Sequence, residues 1–438
     1  MQTHFAPEQL ADPHIPPLEK ILRSCVHCGF CTATCPTYLI TGDERESPRG
    51  RIYLIKDLLE TGRAPTDEDV GPIDRCLSCM ACMTTCPSGV EYRRLIDHAH
   101  ILVERRYRRP LAERLLRAAL ARLLPSRRAF GFALRLAAIG RPLAPILARA
   151  PGIGGKLTAM LALAPKPASK SEPRSGDARP GVSKAPATLA KGRRVALLTG
   201  CAQAALAPDI NAAAIRLLNR AGIDVVSAAG EGCCGAMLYH MGHERRALEQ
   251  ARVNVDAWMR EIDGGGLEAI IVTTSGCGSA IKDYAHMLRD DPAYADKAAR
   301  VAALAKDVSE YVGGLDLAFD NPQKLTIAYH PACSLQHGQK ILEGPKTLLR
   351  RAGFEVRSPV EAHICCGSAG NYNILQPEMA GALRSRKVAH LERLKPDAIA
   401  AGNIGCLSQI ASGTATPVVH TVELLDWASG GPRPAALG

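Results

Sequence analysis

The sequence predicts an α+β multidomain chain in three parts: a helical, cysteine-rich N-terminal module, a basic helical segment and a C-terminal pair of α/β repeats. Three observations carry this. The 16 cysteines fall into two groups of eight, Cys25 to Cys86 and Cys201 to Cys406, with none between. Residues 101–165 hold 13 Lys and Arg against Glu104 and Glu113, a surplus equal to the whole net charge of +11. The C-terminal part repeats itself: RRVALLTGC ending at Cys201 matches KLTIAYHPAC ending at Cys333, and EGCCG at Cys233 and Cys234 matches ICCG at Cys365 and Cys366. A length of 438 residues suits several domains. An apolar share of 47% with 22% charged residues is ordinary globular usage, so wholesale disorder is not expected.

The N-terminal module, residues 1–100, is defined by two runs. CVHCGFCTATCP places Cys25, Cys28, Cys31 and Cys35 before Pro36, and CLSCMACMTTCP places Cys76, Cys79, Cys82 and Cys86 before Pro87. Two C-x2-C-x2-C-x3-C-P runs are the pattern of a ferredoxin with two [4Fe-4S] clusters, in which the fourth cysteine of each run serves the other cluster. The expected ligands are Cys25, Cys28, Cys31 and Cys86 for the first cube, and Cys76, Cys79, Cys82 and Cys35 for the second. Structural zinc is the alternative, but it takes four ligands in paired C-x2-C units and leaves the third close cysteine without a use. Between the runs, RGRIYLIKDLLE offers Ile52, Leu54, Ile55, Leu58 and Leu59 to one face of a helix, which favours an α-helical ferredoxin over a compact β one. His27 sits inside the first run and is expected to tune it by a hydrogen bond rather than to ligate.

Residues 101–165 read as amphipathic helices, with arginines interleaved among Leu and Ala as in LAERLLRAALARLL. Residues 166–191 have little to bury and read as a flexible linker. The first repeat then occupies 192–320 and the second 321–438. Apolar runs such as Val195–Leu198, Val225–Val226 and Ile270–Val272 alternate with helical stretches such as Asn211–Arg220, the pattern of a parallel, helix-covered sheet. The cysteines fall just after strand ends, where open α/β sheets bind their ligands.

Each repeat carries one cysteine, a C-C-G and a last cysteine: Cys201, Cys233, Cys234 and Cys277, then Cys333, Cys365, Cys366 and Cys406. Adjacent cysteines close a disulfide only under strain, whereas a metal cluster accepts both thiolates. A further iron–sulfur centre is therefore expected there, with buried thiols or a dithiol redox centre as the alternative. His330 has no counterpart in the first repeat, where Leu198 stands. It reads as a satisfied core histidine, as does His363, with a role beside a cluster as the second reading.

On these residues the chain resembles the family of proteins with tandem CCG cysteine-rich domains: heterodisulfide reductase subunits, the iron–sulfur subunit of anaerobic glycerol-3-phosphate dehydrogenase, and glycolate oxidase. The combination of both cysteine runs, SPRGRIYLIKDLLE, EGCCGA and HICCGSAG is similar to glycolate oxidase iron–sulfur subunits over nearly the whole chain. That resemblance implies an electron-transfer subunit with no catalytic residue of its own. FAD-binding subunits would oxidise glycolate to glyoxylate, and this chain would carry the electrons onward to quinone or another acceptor. A subunit of a D-lactate or anaerobic glycerol-3-phosphate dehydrogenase, or a heterodisulfide-reductase-like subunit, is the related alternative. One departure stands out. Where the family's cluster-holding motif ends in C-x2-C, Thr274 and Asn403 replace the first cysteine.

No G-x-G-x-x-G after a strand and no P-loop occurs, so no flavin or nicotinamide is expected in this chain. Met1 to Lys20 lacks the basic and apolar regions of a secretory leader, and the longest charge-free run, Ala398 to Val422, is too polar for a membrane span. A cytoplasmic protein, peripheral on the inner membrane, is expected. Arg105, Arg106, Arg108 and Arg109 would meet anionic lipid, with a partner interface as the alternative. Nucleic acid is the other partner such charge suits, but 4% aromatic residues weigh against base stacking and none is expected.

Overall fold

A computed structural model describes residues 1–147, 149, 154–163, 181–189, 192–320 and 324–438. Residues 1–100 are helical and contain no strand. Helices Ile15–Ser24, Pro48–Thr61, Asp67–Asp74 and Tyr92–Arg106 pack around Leu22, Ile55, Leu58, Ile73, Leu95 and Ile96. The Pro48–Thr61 helix begins where the Ser47 hydroxyl accepts from the Gly50 amide and Pro48 fills the first turn, and it stops at left-handed Gly62. Its inward face is the expected one, except that Leu54 is only half-buried and Arg51 is buried with the apolar residues. This helical module carries both cysteine runs, as an α-helical ferredoxin.

The Tyr92–Arg106 helix crosses residue 100 without a break. Helices Leu111–Leu123, Arg127–Gly140 and Gly154–Leu163 follow, and Leu116, Leu120 and Leu124 pack with Phe130 and Met160 against Met237, Ile374 and Leu375 of the repeats. Of the four arginines expected at the surface from 105 to 109, Arg105, Arg106 and Arg108 are exposed, and the expectation is corrected for Arg109 alone. Arg109 is 8% exposed and pairs with Asp74 at 2.5 Å and Glu113 at 3.2 Å, while Arg105 reaches Glu244 at 2.7 Å. Buried Arg117 joins the same Asp74. Part of the basic surplus is thus spent on internal ion pairs.

Of the stretch read as a linker, residues 166–180 and 190–191 lie outside the described residues. Its end departs from that reading: β1, Gly181–Ser183, adds antiparallel to the edge of the first sheet. Alternate polar residues with a short extended run suffice for such an edge strand, and composition alone does not reveal it.

The first sheet has the order β1-β3-β2-β4-β5, from β2 (Arg193–Leu197), β3 (Ile223–Ser227), β4 (Ala269–Val272) and β5 (Ala305–Asp307). The second has the order β7-β6-β8-β9, from β6 (Thr326–Tyr329), β7 (Glu355–Arg357), β8 (Ala398–Ala401) and β9 (Val418–His420). Apart from β1 all pairings are parallel, and β2 to β5 repeat as β6 to β9. The two units share one core, in which Val195, Leu217 and Ile271 join Ile327, Leu349 and Ile399. The ferredoxin module is tied to the first repeat by Arg93 and Arg94 on Asp283, at 3.1 and 2.7 Å. It meets the second through Thr84 Oγ1 and His337 Nδ1, 2.8 Å apart.

Candidate iron–sulfur centres

Both cysteine runs form the same loop. His27 and Ser78, then Gly29 and Met80, hold left-handed backbone at matching places, with φ of 54°, 48°, 86° and 62°. These reversals fold three cysteines of each run inward, and a short helical turn then carries the fourth away: Phe30–Thr34 before Cys35, Ala81–Thr85 before Cys86. Two separate cavities result. Cys25, Cys28, Cys31 and Cys86 line one, and Cys35, Cys76, Cys79 and Cys82 line the other, with Cys82 touching both. Each cavity therefore draws three cysteines from one run and the fourth from the other.

The surroundings differ. Around the first cavity Cys28 is exposed, flanked by exposed Val26 and Phe30, and Nε2 of His27 is buried without a hydrogen-bond partner. Around the second, burial and then the neighbouring Cys333 thiol push Cys79 well above the ordinary thiol range. Burial lowers the Arg51 pKa, but the thiols of Cys76 and Cys35 and the Tyr92 phenol raise it by more, so the guanidinium is a firmly held positive charge. Arg51 donates to Thr37 Oγ1 at 3.0 Å and to the Pro72 carbonyl at 2.7 Å, and the Tyr92 hydroxyl donates to Cys76 Sγ at 3.6 Å. Four thiols beside a fixed buried cation fit a cluster bound by four thiolates. Binding releases the thiol protons.

In the repeats the cysteines gather at the C-terminal ends of the central strands, the switch point of an open parallel sheet. Cys201 Sγ lies 3.5 Å from Cys233 Sγ, and Cys333 from Cys365 by the same distance. The Gly235 and Gly367 amides reach Cys233 and Cys365. Both glycines have positive φ, and a Cβ there would meet the carbonyl oxygens of Ala247 and Ala380 at 2.9 and 2.6 Å. The C-C-G glycine is thus required twice over, by conformation and by close approach.

The two sets are not equivalent. Where the first repeat has Leu198 and Asn254, the second has His330 and Lys387, both buried. Asn254 donates to the Cys233 carbonyl, whereas Lys387 donates to that of Glu361. At the positions of the absent cysteines, Thr274 hydrogen-bonds Gln203, while the Asn403 amide donates to Cys406 Sγ at 3.4 Å. The reading of His330 as a satisfied core histidine is corrected: it is fully buried with neither ring nitrogen partnered. His363 is half-buried rather than core. Arg51 and Lys387 gave no sequence signal, because an arginine or lysine in a helix normally faces water.

A cavity of about 320 Å³ joins the modules. Cys76 and Cys79 line it together with Cys201, Cys234, Cys277, Cys333, Cys365, Cys366 and Cys406, so every repeat cysteine except Cys233 borders it. Its outer wall, Leu120, Leu124, Phe130, Leu134 and Met160, is apolar.

This fold and these thiol constellations define an iron–sulfur electron-transfer protein, a two-cluster ferredoxin fused to tandem cysteine-rich repeats. Family comparison agrees: residues 21–90 match the 4Fe-4S dicluster domain, and 195–282 and 327–411 match the cysteine-rich domain. The chain is 42% identical to the glycolate oxidase iron-sulfur subunit of Escherichia coli, over 98% of this chain and 99% of that one. It is 33% identical to the probable glycolate oxidase iron-sulfur subunit of Bacillus subtilis, over 94% and 95%. Lactate utilization protein A of Bacillus licheniformis is 25% identical over 53% of this chain and 99% of that one. The chain belongs to the glycolate oxidase iron–sulfur subunit family, and its role is electron transfer within an oxidoreductase.

Proposed function

We propose that this chain takes electrons from FAD-binding partner subunits that oxidise glycolate to glyoxylate, and delivers them to a quinone at the membrane surface. Cys25, Cys28, Cys31 and Cys86 would hold one [4Fe-4S] cluster, Cys35, Cys76, Cys79 and Cys82 the other, and the C-C-G cysteines a further centre. Clusters bound there supply one-electron transfer, which a hydride-derived electron pair from a flavin needs in order to be relayed singly.

The observation that carries this reading is the shared cavity. Cys76 and Cys79 of the ferredoxin module line the same cavity as cysteines of both repeats. The exposed Cys28, Val26 and Phe30 suit an entry face for a flavin partner, since an apolar rim excludes water when covered. The apolar outer wall suits an apolar acceptor.

Within the basic segment 101–165, peripheral membrane contact is supported at the Arg127–Gly140 helix rather than at Arg105 to Arg109. Phe132, Leu136 and Ile139 stand 62%, 53% and 76% exposed along one side of the Arg127–Gly140 helix, with exposed Arg128 and Arg135 beside them, and Leu111 and Leu115 are similarly bare. No helix among the described residues is long and apolar enough to cross a membrane. Apolar side chains ringed by arginine suit the headgroup region.

The experiment is anaerobic co-purification of the tagged chain followed by assay with glycolate and with D-lactate. Flavoproteins should co-purify, and glycolate-dependent reduction of a quinone analogue should appear only with them present. Glycolate oxidation by the purified chain alone would overturn the reading.

A further inference from the structure

Among the described residues, one triad of metal-ligating side chains is already drawn together, and it is not in the ferredoxin module. A ring nitrogen of His330 and the sulfurs of Cys366 and Cys406 all lie within 4.8 Å of one another, and all three residues are buried. Donors on a single tetrahedral ion, bound at about 2.0–2.3 Å, stand roughly 3.3–3.8 Å apart, so little closure is needed. The His330 ring is fully buried, and neither nitrogen has a hydrogen-bond partner. A buried polar group left unpaired is costly, and a bound ion removes that cost.

The backbone fixes His330 there. At the end of β6 its amide donates to the Ala400 carbonyl at 2.8 Å, just as the Leu198 amide at the end of β2 donates to Ile271 at 3.0 Å. The strands pair in the same register in both repeats. The two side chains therefore occupy matching positions, and the imidazole is the chemical difference between them.

We propose that His330, Cys366 and Cys406 hold one thiophilic metal ion, iron or zinc, so that the second repeat's centre is mixed imidazole–thiolate while the first is ligated by thiolates alone. The proposal rests on the reading that the repeats bind metal. Cys366 and Cys406 give up their protons on binding, and His330 binds as the neutral ring. The Asn403 amide, donating to Cys406 Sγ, supports that thiolate from outside. If the ion is iron of a cluster, a neutral ligand in place of a thiolate raises its potential.

The test uses the full chain purified anaerobically with 15N-labelled or unlabelled histidine, comparing wild type with His330→Leu, the residue the first repeat carries, and His330→Cys, which restores a donor. The signals of the two ferredoxin cubes report that each variant is folded. Metal analysis should show His330→Leu losing about one equivalent per chain and His330→Cys retaining it. If the metal is iron, a histidine-nitrogen hyperfine coupling should vanish in both variants. If it is zinc, cobalt substitution should give a thiolate-to-metal band that the leucine variant lacks. Metal content and nitrogen coupling unchanged by His330→Leu would overturn the inference while leaving metal in the repeats. No metal beyond the two cubes would overturn both.

Discussion

Nη1 of Arg51 lies 3.8 Å from Sγ of Cys35, with the guanidinium 1% exposed. The nearest carboxylate, that of Glu46 at 3.9 Å, is shared with Arg75, so Arg51 is a net positive charge at the wall of the second cluster cavity. A positive charge favours the reduced, more negative state of a cluster. A unit charge acting over about 10 Å at an effective dielectric of about 20 is worth ~1.7 kcal/mol, on the order of 70 mV for one electron.

Arg51→Gln should therefore lower the potential of one of the two ferredoxin clusters by tens of millivolts and leave the other nearly unchanged. Arg51→Lys, which keeps the charge, should restore most of the shift. EPR-monitored redox titration of the full chain checks both, and equal shifts in both clusters would argue for a general structural effect.

The group formed by buried Arg109 and Arg117 with Asp74 and half-buried Glu113 bears on stability. Burial raises the Asp74 pKa, but Arg117 and Arg109 outweigh it and hold the carboxyl below its ordinary value. A folded-state pKa below the unfolded one contributes stability that is present above the unfolded value, near 4, and is lost as pH falls through the folded value. Arg109→Gln should cost about 2–4 kcal/mol at pH 7, because it strands a buried charge that Arg117 compensates only in part. Denaturant unfolding at pH 7 and pH 3 measures this, and the penalty should shrink at the lower pH as Asp74 protonates.

The bare apolar side of the Arg127–Gly140 helix gives a third expectation. Phe132→Ser with Ile139→Ser should lower recovery of the complex on anionic vesicles while cluster content is unaffected. Replacing exposed Arg128 and Arg135 by Gln should weaken binding chiefly at low salt, since each cation near an anionic surface is worth about 1 kcal/mol and is screened beyond roughly 8–10 Å at physiological salt. Vesicle sedimentation across a salt series separates the two contributions. Binding unchanged in the serine variant would place the membrane contact elsewhere.

What the sequence reveals here follows from where covalent spacing dominates. Two C-x2-C-x2-C-x3-C-P runs dictate their loops almost alone, because left-handed residues between closely spaced cysteines leave few other geometries. The repeat was legible because β2 and β6, like β4 and β8, are short buried runs with the same register. What stayed hidden depends on tertiary neighbours. Arg109 looked like surface charge until Asp74 and Glu113 were brought beside it, and His330 looked satisfied although no partner reaches either nitrogen. Gly181–Ser183 is a strand only because β3 offers it an edge.

The central claim is that electrons pass through the cluster held by Cys35, Cys76, Cys79 and Cys82 on their way to the repeats. The most direct measurement is rapid-freeze EPR of the complex with its flavin partner after mixing with glycolate, with reduction of a quinone analogue followed in parallel, in wild type and in Cys76→Ser. Wild type should develop both cluster signals and reduce the quinone. The variant should develop only the signal of the cluster held by Cys25, Cys28, Cys31 and Cys86, and its quinone reduction should nearly cease. Quinone reduction at the wild-type rate in a variant that lacks the second cluster would contradict the account.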